Sequence, residues 1–146
     1  MLVVDASVAV KWFIAEEGSE DADALLDSDI PLLAPKIIEV EVTSALAYRY
    51  RVGDLDAAEV RRAVARWVDG CLAAHAPLTS DDRELLKDAA ELSIELDYKI
   101  PDCLYLALAR SAGCPLITAD AHLLRKTKGI SGVRTIRLGD PLPGSK

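Results

Sequence analysis

The apolar positions of this chain fall into two periods, one of strands and one of helices. Leu2-Val3-Val4 is a short β-branched run closed by Asp5, and the apolar positions after it (Val8, Val10, Trp12, Phe13) turn directly into a helix. A strand that passes at once into a helix predicts a parallel sheet. Asp21 to Ser28 reads as a small polar helix, and Ile30 to Ala34, punctuated by Pro31 and Pro35, as a second short strand. Lys36 to Val52 is helical and stops at Gly53. Asp56 to Leu72 is amphipathic, with Ala57, Val60, Val64, Trp67 and Val68 on one face and Glu59, Arg61, Arg62 and Arg66 facing water.

The second half follows the same grammar. Ser80 is placed to cap a helix running to Leu96, whose inner stripe is Leu85, Leu86, Ala89, Leu92 and Leu96. Pro101 opens the next helix, in which Leu104 to Ala109 is almost continuously apolar and therefore buried all round, and Gly113 ends it. Pro115-Leu116-Ile117-Thr118-Ala119 is a buried-type strand ending in Asp120, Ala121 to Lys126 a short helix, and Val133 to Leu138 a final, more exposed strand. With no repeat or linker, the expectation is one α/β domain over residues 1–140 and a loose tail over 141–146. Its core is a mostly parallel sheet of about four to five strands flanked by helices.

Composition narrows the class. The 146 residues are 51 % hydrophobic and 28 % charged, which excludes a disordered or collagen-like chain, and only 5 % aromatic, so the core is aliphatic. Seventeen basic residues against 24 acidic ones leave a net charge of −7, which argues against holding nucleic acid by bulk attraction. Cys71, Cys103 and Cys114 are odd in number and lack zinc spacing, pointing to a reducing cytoplasm. The apolar start has no basic segment before it and is broken by Asp5, so it is read as a strand, not a secretory signal. No apolar run approaches the roughly 18 residues of a membrane span.

In an open parallel sheet, ligands bind beyond the carboxyl ends of the strands. Asp5 and Asp120 both stand there, although each precedes a helix and has a plain alternative role as its N-cap. Asp102 lies in the first turn of the buried Pro101 helix, favoured by the helix dipole, yet it continues the stripe of Leu106 and Ala109 and needs a cation, a donor or a polar cleft. Glu39 and Glu41 flank the stripe of Ile38, Val42 and Ala45, and periodicity does not choose between them. His75 and His122 are isolated and read as surface residues. Arg49, Arg51, Arg61, Arg62 and Arg66, and separately Arg125, Lys126 and Lys128, are candidate phosphate contacts or solvated helix faces. Trp12 and Phe13 offer stacking surface, or core or dimer packing.

Four blocks taken in order carry a resemblance: Val3-Val4-Asp5-Ala6-Ser7, Ala34-Pro35 leading to Glu41-Val42 and Ala45-Leu46, Pro101-Asp102-Cys103-Leu104-Tyr105-Leu106-Ala107-Leu108-Ala109, and Leu116-Ile117-Thr118-Ala119-Asp120. The set resembles PIN-domain ribonucleases, specifically VapC-type toxins of toxin–antitoxin pairs, over nearly the whole chain. The family often has Asn where Ser44 stands, and Tyr or Asp at Cys103. The resemblance implies a PIN-like three-layer fold and selects Glu41 over Glu39. It places Asp5, Glu41, Asp102 and Asp120 in one catalytic pocket, with Asp5, Asp102 and Asp120 as metal ligands and Glu41 orienting or deprotonating water. Ser7 and Thr118 lie close enough to support a ligand carboxylate, or to serve as local caps.

Physics agrees that such a pocket wants cations. Two carboxylates about 5 Å apart repel by roughly 3 kcal/mol at an effective dielectric near 20, so an empty, fully ionised cluster is destabilised. Ligation by oxygen alone suits Mg²⁺ or Mn²⁺. The implied activity is metal-dependent endoribonuclease cleavage of RNA leaving 5′-phosphate and 3′-hydroxyl ends. A homodimer and a cognate VapB-type antitoxin whose C-terminal segment covers the cleft are implied as partners. The competing reading is a catalytically silent PIN fold that binds RNA or protein. A phosphoacceptor domain fits less well, because Asp5-Ala6-Ser7 lacks a second Asp and no strand-end Lys is found.

Overall fold

A computed structural model describes residues 1–74 and 83–142. The predicted cap Ser80 and His75 therefore lie outside the described residues, as do residues 143–146 of the predicted tail. The elements are β1 (Leu2–Val4), α1 (Ala6–Ala9) running into a 3₁₀ turn (Val10–Trp12), α2 (Ser19–Leu26), β2 (Leu32–Leu33), α3 (Ile38–Arg51), α4 (Ala57–Ala65), a π-helical stretch (Arg66–Cys71), α5 (Leu72–Ala74), α6 (Arg83–Leu96), α7 (Ile100–Ala112), β3 (Leu116–Thr118), α8 (Ala121–Lys126) and β4 (Thr135–Arg137).

Four strands form one sheet in the order β2-β1-β3-β4, every neighbouring pair parallel. Val3 pairs with both Leu33 and Leu116, which makes β1 and β3 the two central strands. Each residue of both is buried, as expected of strands covered by helices on both faces. α7 packs on β1 and β3, and α6 packs on α7. The expected all-round burial of α7 holds from Asp102 to Ala109 without a gap. The chain leaves β1 towards β2 and returns to β3 on the other side, so the order reverses between β1 and β3. That reversal opens a crevice beyond their carboxyl ends.

Two details differ from the periodic reading, each for a local reason. The helix expected from Asp56 to Leu72 begins with a capping box, Glu59 N–H donating to Asp56 Oδ1 and Asp56 N–H to Glu59 Oε2, but loosens to π pitch after Ala65. The wider turn leaves Trp67 fully buried while Val68, assigned to the same face, is 46 % exposed. On α6, Leu85, Ala89, Leu92 and Leu96 already complete the inner stripe, and Leu86, one position off it, is largely exposed. Trp12 belongs to the core and donates its indole N–H to Ala22 O at 2.8 Å.

Candidate active site at the carboxyl rim of the sheet

Asp5 follows β1 directly and is 5 % exposed. It occupies the cap position of α1, but its side chain makes no capping bond. Two hydroxyls converge on its Oδ2 instead: Ser7 Oγ donates at 2.6 Å and Thr118 Oγ1 at 2.7 Å. Both hydroxyl oxygens in turn accept backbone amides of the β3–α8 turn, Ser7 from Ala119 N–H and Thr118 from Asp120 N–H, each at 3.0 Å. A hydroxyl has one hydrogen to give, so these amides commit Ser7 and Thr118 to Asp5. Burial pushes the Asp5 carboxyl above its ordinary range; the two hydroxyls and the Ala6 amide pull it back, and the charge of Asp120 adds to the rise.

Asp120, at the matching position after β3, does cap its helix, its Oδ1 accepting from His122 N–H at 2.8 Å and Leu123 N–H at 3.2 Å. Asp102 enters from the first turn of α7, 7 % exposed. Its Oδ2 is buried and accepts no hydrogen bond, although Lys99 Nζ lies 3.3 Å away as an ion partner one helical turn earlier. Burial raises the Asp102 carboxyl, Lys99 opposes that, and the charges of Asp5 and Asp120 add to it. Pairing with Asp102 raises the Lys99 ammonium in return.

Glu41, from α3, is half-buried and accepts a hydrogen bond from the Tyr105 hydroxyl at 2.6 Å. Its carboxyl is raised by burial, lowered by Tyr105, and raised again by the charges of Asp5 and Asp102. The four acids named from sequence thus share one electrostatic field at the β1/β3 crevice. Among the described residues, however, no three His, Cys, Asp or Glu side chains converge as a ready-made ligand group.

Two partners of these acids stand outside the candidates that the sequence pattern singles out. Tyr105 is the one hydroxyl-bearing side chain in the stretch Leu104–Ala109, and a buried phenol there needs an acceptor. Lys99 stands three residues before Asp102, the spacing of a helical ion pair. Other candidates lie apart from these acids or are occupied elsewhere. Lys126 Nζ holds the carbonyls of Leu96 and Asp97, Arg49 pairs with Glu16 and Asp54, Arg66 lies over the Phe13 ring, and Arg51 over Tyr48. Arg125 and Lys128 are exposed. The three cysteines are free, and burial pushes the Cys71 and Cys103 thiols up to about 11, where they are inert.

The family model described as PIN domain matches residues 2–129, a span containing all four acids. The chain belongs to the PIN domain family. This PIN domain finds no match among curated protein sequences. Its fold is similar to solved structures of low identity. VapC20 from Mycobacterium tuberculosis, a Sarcin-Ricin loop cleaving toxin, is 18 % identical with a TM-score of 0.64, covering 92 % of this chain and 99 % of that one. VapBC2 from Rickettsia felis, bound to a DNA fragment from its promoter, is 12 % identical with a TM-score of 0.63, covering 93 % and 97 %. A toxin-antitoxin complex from Klebsiella pneumoniae is 19 % identical with a TM-score of 0.56, covering 91 % and 95 %. At these identities the likeness establishes the shared fold. Among the described residues, no helix of this PIN domain is long and apolar enough to cross a membrane.

Proposed function

We infer that this PIN domain is a metal-dependent endoribonuclease of the VapC toxin type. One observation carries the reading: two buried carboxylates, Asp5 and Asp102, share the β1/β3 crevice with Asp120 and Glu41, and each of the two is pushed towards protonation by burial and the other acids. Acids kept buried in mutual repulsion call for a counter-charge, and clustering of this kind is a mark of functional sites. The alternative role of Asp5 is weakened, since its side chain makes no capping bond.

The residues fit a hard divalent cation. All donors are oxygens, and the buried Asp102 Oδ2, whose counter-charge is the mostly exposed Lys99 ammonium at 3.3 Å, can exchange that ammonium for a cation. Mg²⁺ takes one or two carboxylates directly and keeps several waters, so not every acid of the group need touch it. In this reading Asp5, Asp102 and Asp120 hold Mg²⁺ or Mn²⁺. The bound ion supplies positive charge at a phosphodiester oxygen. Glu41, oriented by the Tyr105 hydroxyl, accepts the proton of the attacking water, and its raised carboxyl pKa suits a base working nearer neutrality. Ser7 and Thr118 keep Asp5 aimed at the crevice. Cleavage leaves a 5′-phosphate and a 3′-hydroxyl.

The similar fold of a toxin-antitoxin complex supports a cognate VapB-type antitoxin as the inhibitory partner; that the toxin is a cytoplasmic homodimer rests on the sequence resemblance alone. The test is direct. Purified protein and its Asp5→Asn variant are incubated with RNA in Mg²⁺, Mn²⁺ or EDTA. The wild type with metal cuts and the other combinations do not. Equal cutting in EDTA overturns the metal requirement, and a wild type that binds RNA without cutting it is a silent binding module.

A further inference from the structure

Beside Asp120 an open groove of about 700 Å³ runs between the α6–α7 turn and the start of α8, lined by Ser93, Asp97, Tyr98, Lys99, Asp120 and His122. Its wall is aromatic. The Tyr98 and His122 rings meet edge to face, with centroids 5.2 Å apart and planes at 72°, and the Tyr98 hydroxyl lies 3.5 Å from His122 Nδ1. Tyr98 is partly buried against the core and His122 is exposed, so the pair keeps part of its ring surface open to another flat group. The ribonuclease reading uses neither ring.

The turn that carries Tyr98 is held from several sides. Asp97 turns the chain in the left-handed region at φ 48°, which aspartate tolerates better than most non-glycine residues. Lys126 Nζ binds the Leu96 carbonyl at 3.1 Å and the Asp97 carbonyl at 3.4 Å, while the Ser93 hydroxyl donates to Tyr98 O at 2.5 Å and Tyr98 N–H to Ser93 O at 3.1 Å. An aromatic side chain on an anchored turn loses little freedom when a ligand stacks on it. The Tyr98 hydroxyl, pushed up to about 12 by burial and the neighbouring acids, stays a neutral donor.

We propose that this groove is a nucleotide subsite, in which the Tyr98–His122 wall stacks one RNA base next to the scissile phosphate and Lys99 faces the phosphate chain. The proposal rests on the ribonuclease reading. Three features favour a nucleotide. The groove volume lies within the usual range of small-ligand sites, it opens beside an acid assigned to the cation, and the Lys99 side chain, 65 % exposed, stands next to Asp102 with room to turn outward. Base–aromatic stacking tolerates any base, because every base has a flat face. The charge balance adds a condition. Three acids, Asp97 and Asp120 in the lining and Asp102 paired with Lys99, outweigh the one lysine, so a phosphate enters only when a divalent cation offsets the acids, whereas a basic peptide binds best without it.

That condition sets the experiment. Uridine 5′-monophosphate and a hexa-arginine peptide are titrated calorimetrically into the full chain, with Mg²⁺ or with EDTA, for the wild type, Tyr98→Ala, Tyr98→Phe and His122→Ala, each checked for folding by its thermal melt. The nucleotide binds in Mg²⁺ and not in EDTA. Tyr98→Ala weakens it by about 5- to 150-fold, the range a stacked base spans, while Tyr98→Phe stays within about twofold and His122→Ala falls between. On single-stranded RNA the same variants raise KM more than they lower kcat. Nucleotide binding that is absent in Mg²⁺, or untouched by Tyr98→Ala in a folded protein, overturns the subsite. So does peptide binding that depends on Tyr98 while nucleotide binding does not, which assigns the groove to a protein partner. A wild type that binds the nucleotide through Tyr98 yet cuts no RNA removes the ribonuclease reading and leaves the subsite standing.

Discussion

Tyr105 donates its hydroxyl hydrogen to Glu41 Oε2 across 2.6 Å, tying the buried helix α7 to the acid that α3 brings to the crevice. The phenol is fully buried and its pKa is driven far upward by burial and by Glu41 itself, so it remains a donor at any working pH. Replacing it with phenylalanine leaves a half-buried carboxylate oxygen short of one partner, at a stability cost of about 1.5–3 kcal/mol for a bond to a charged group. Because that bond lowers the Glu41 carboxyl, its loss lets the pKa climb further. Tyr105→Phe therefore moves the acid limb of the pH–rate profile to higher pH as well as lowering the melting temperature. A profile that keeps its acid limb while kcat falls shows that Tyr105 is structural only.

The choice between two glutamates is open to a paired substitution. Glu41 is coupled to Asp5 and Asp102, whereas the contacts of Glu39 run through its backbone carbonyl, which accepts from Thr43 Oγ1 at 2.7 Å and Trp67 Nε1 at 3.4 Å. A side-chain change at Glu39 leaves those bonds in place. Glu41→Gln lowers kcat by about 10²–10⁴-fold, the usual contribution of a general base. Glu39→Gln stays near wild type, and the reverse pattern shifts the assigned acid by two residues.

Lys99 competes for Asp102 with any incoming cation. Its ammonium lies 3.3 Å from Asp102 Oδ2, among the described residues the one buried carboxylate oxygen that accepts no hydrogen bond. The lysine side chain is mostly exposed, so the pair is screened and worth only about 0.2–1 kcal/mol. Lys99→Gln removes the competitor and tightens Mn²⁺ binding by roughly 1.4- to 5-fold, read by electron paramagnetic resonance of free Mn²⁺. Weaker binding in this variant means that Lys99 helps to hold the site open and does not obstruct it.

The acids were legible in the sequence for different reasons, and so were the gaps. Asp5 and Asp120 declare themselves because strand ends are short and sharply bounded, and a parallel pairing of β1 with β3 sets them on one rim. Asp102 is visible as an acid continuing an apolar stripe. Glu41 is not separable from Glu39 by period, since both flank the same stripe; the resemblance selects Glu41, and its hydrogen bond from Tyr105 comes from another helix that no local pattern shows. The π pitch after Ala65 is hidden for a related reason: Trp67 and Val68 are both apolar, and burial of the larger ring decides which turns inward. The Tyr98–His122 wall joins positions 24 residues apart through the fold, and no local pattern announces it.

The raised carboxyls make stability depend on pH in opposite senses with and without metal. Asp5, Asp102 and Glu41 all have pKa values above the ordinary 3.8 or 4.5, chiefly through burial. A folded-state pKa above the unfolded one means that protonation favours the fold: the contribution is complete below the ordinary value and disappears as pH rises through the raised one. In EDTA the melting temperature should therefore rise as the pH is lowered from neutral to about 5, before acid strips the surface ion pairs. Mn²⁺ needs the ionised acids, so the stabilisation it adds is larger at neutral pH than at about pH 5. Asp5→Asn removes a buried charge, melts higher than wild type at neutral pH in EDTA, loses part of the acid-side gain, and forfeits about 10²-fold or more of the cleavage rate. A wild-type melting temperature that falls steadily from neutral to acid pH in EDTA, or an Asp5→Asn variant with an unchanged pH slope, contradicts the picture of charges held in the crevice for a cation.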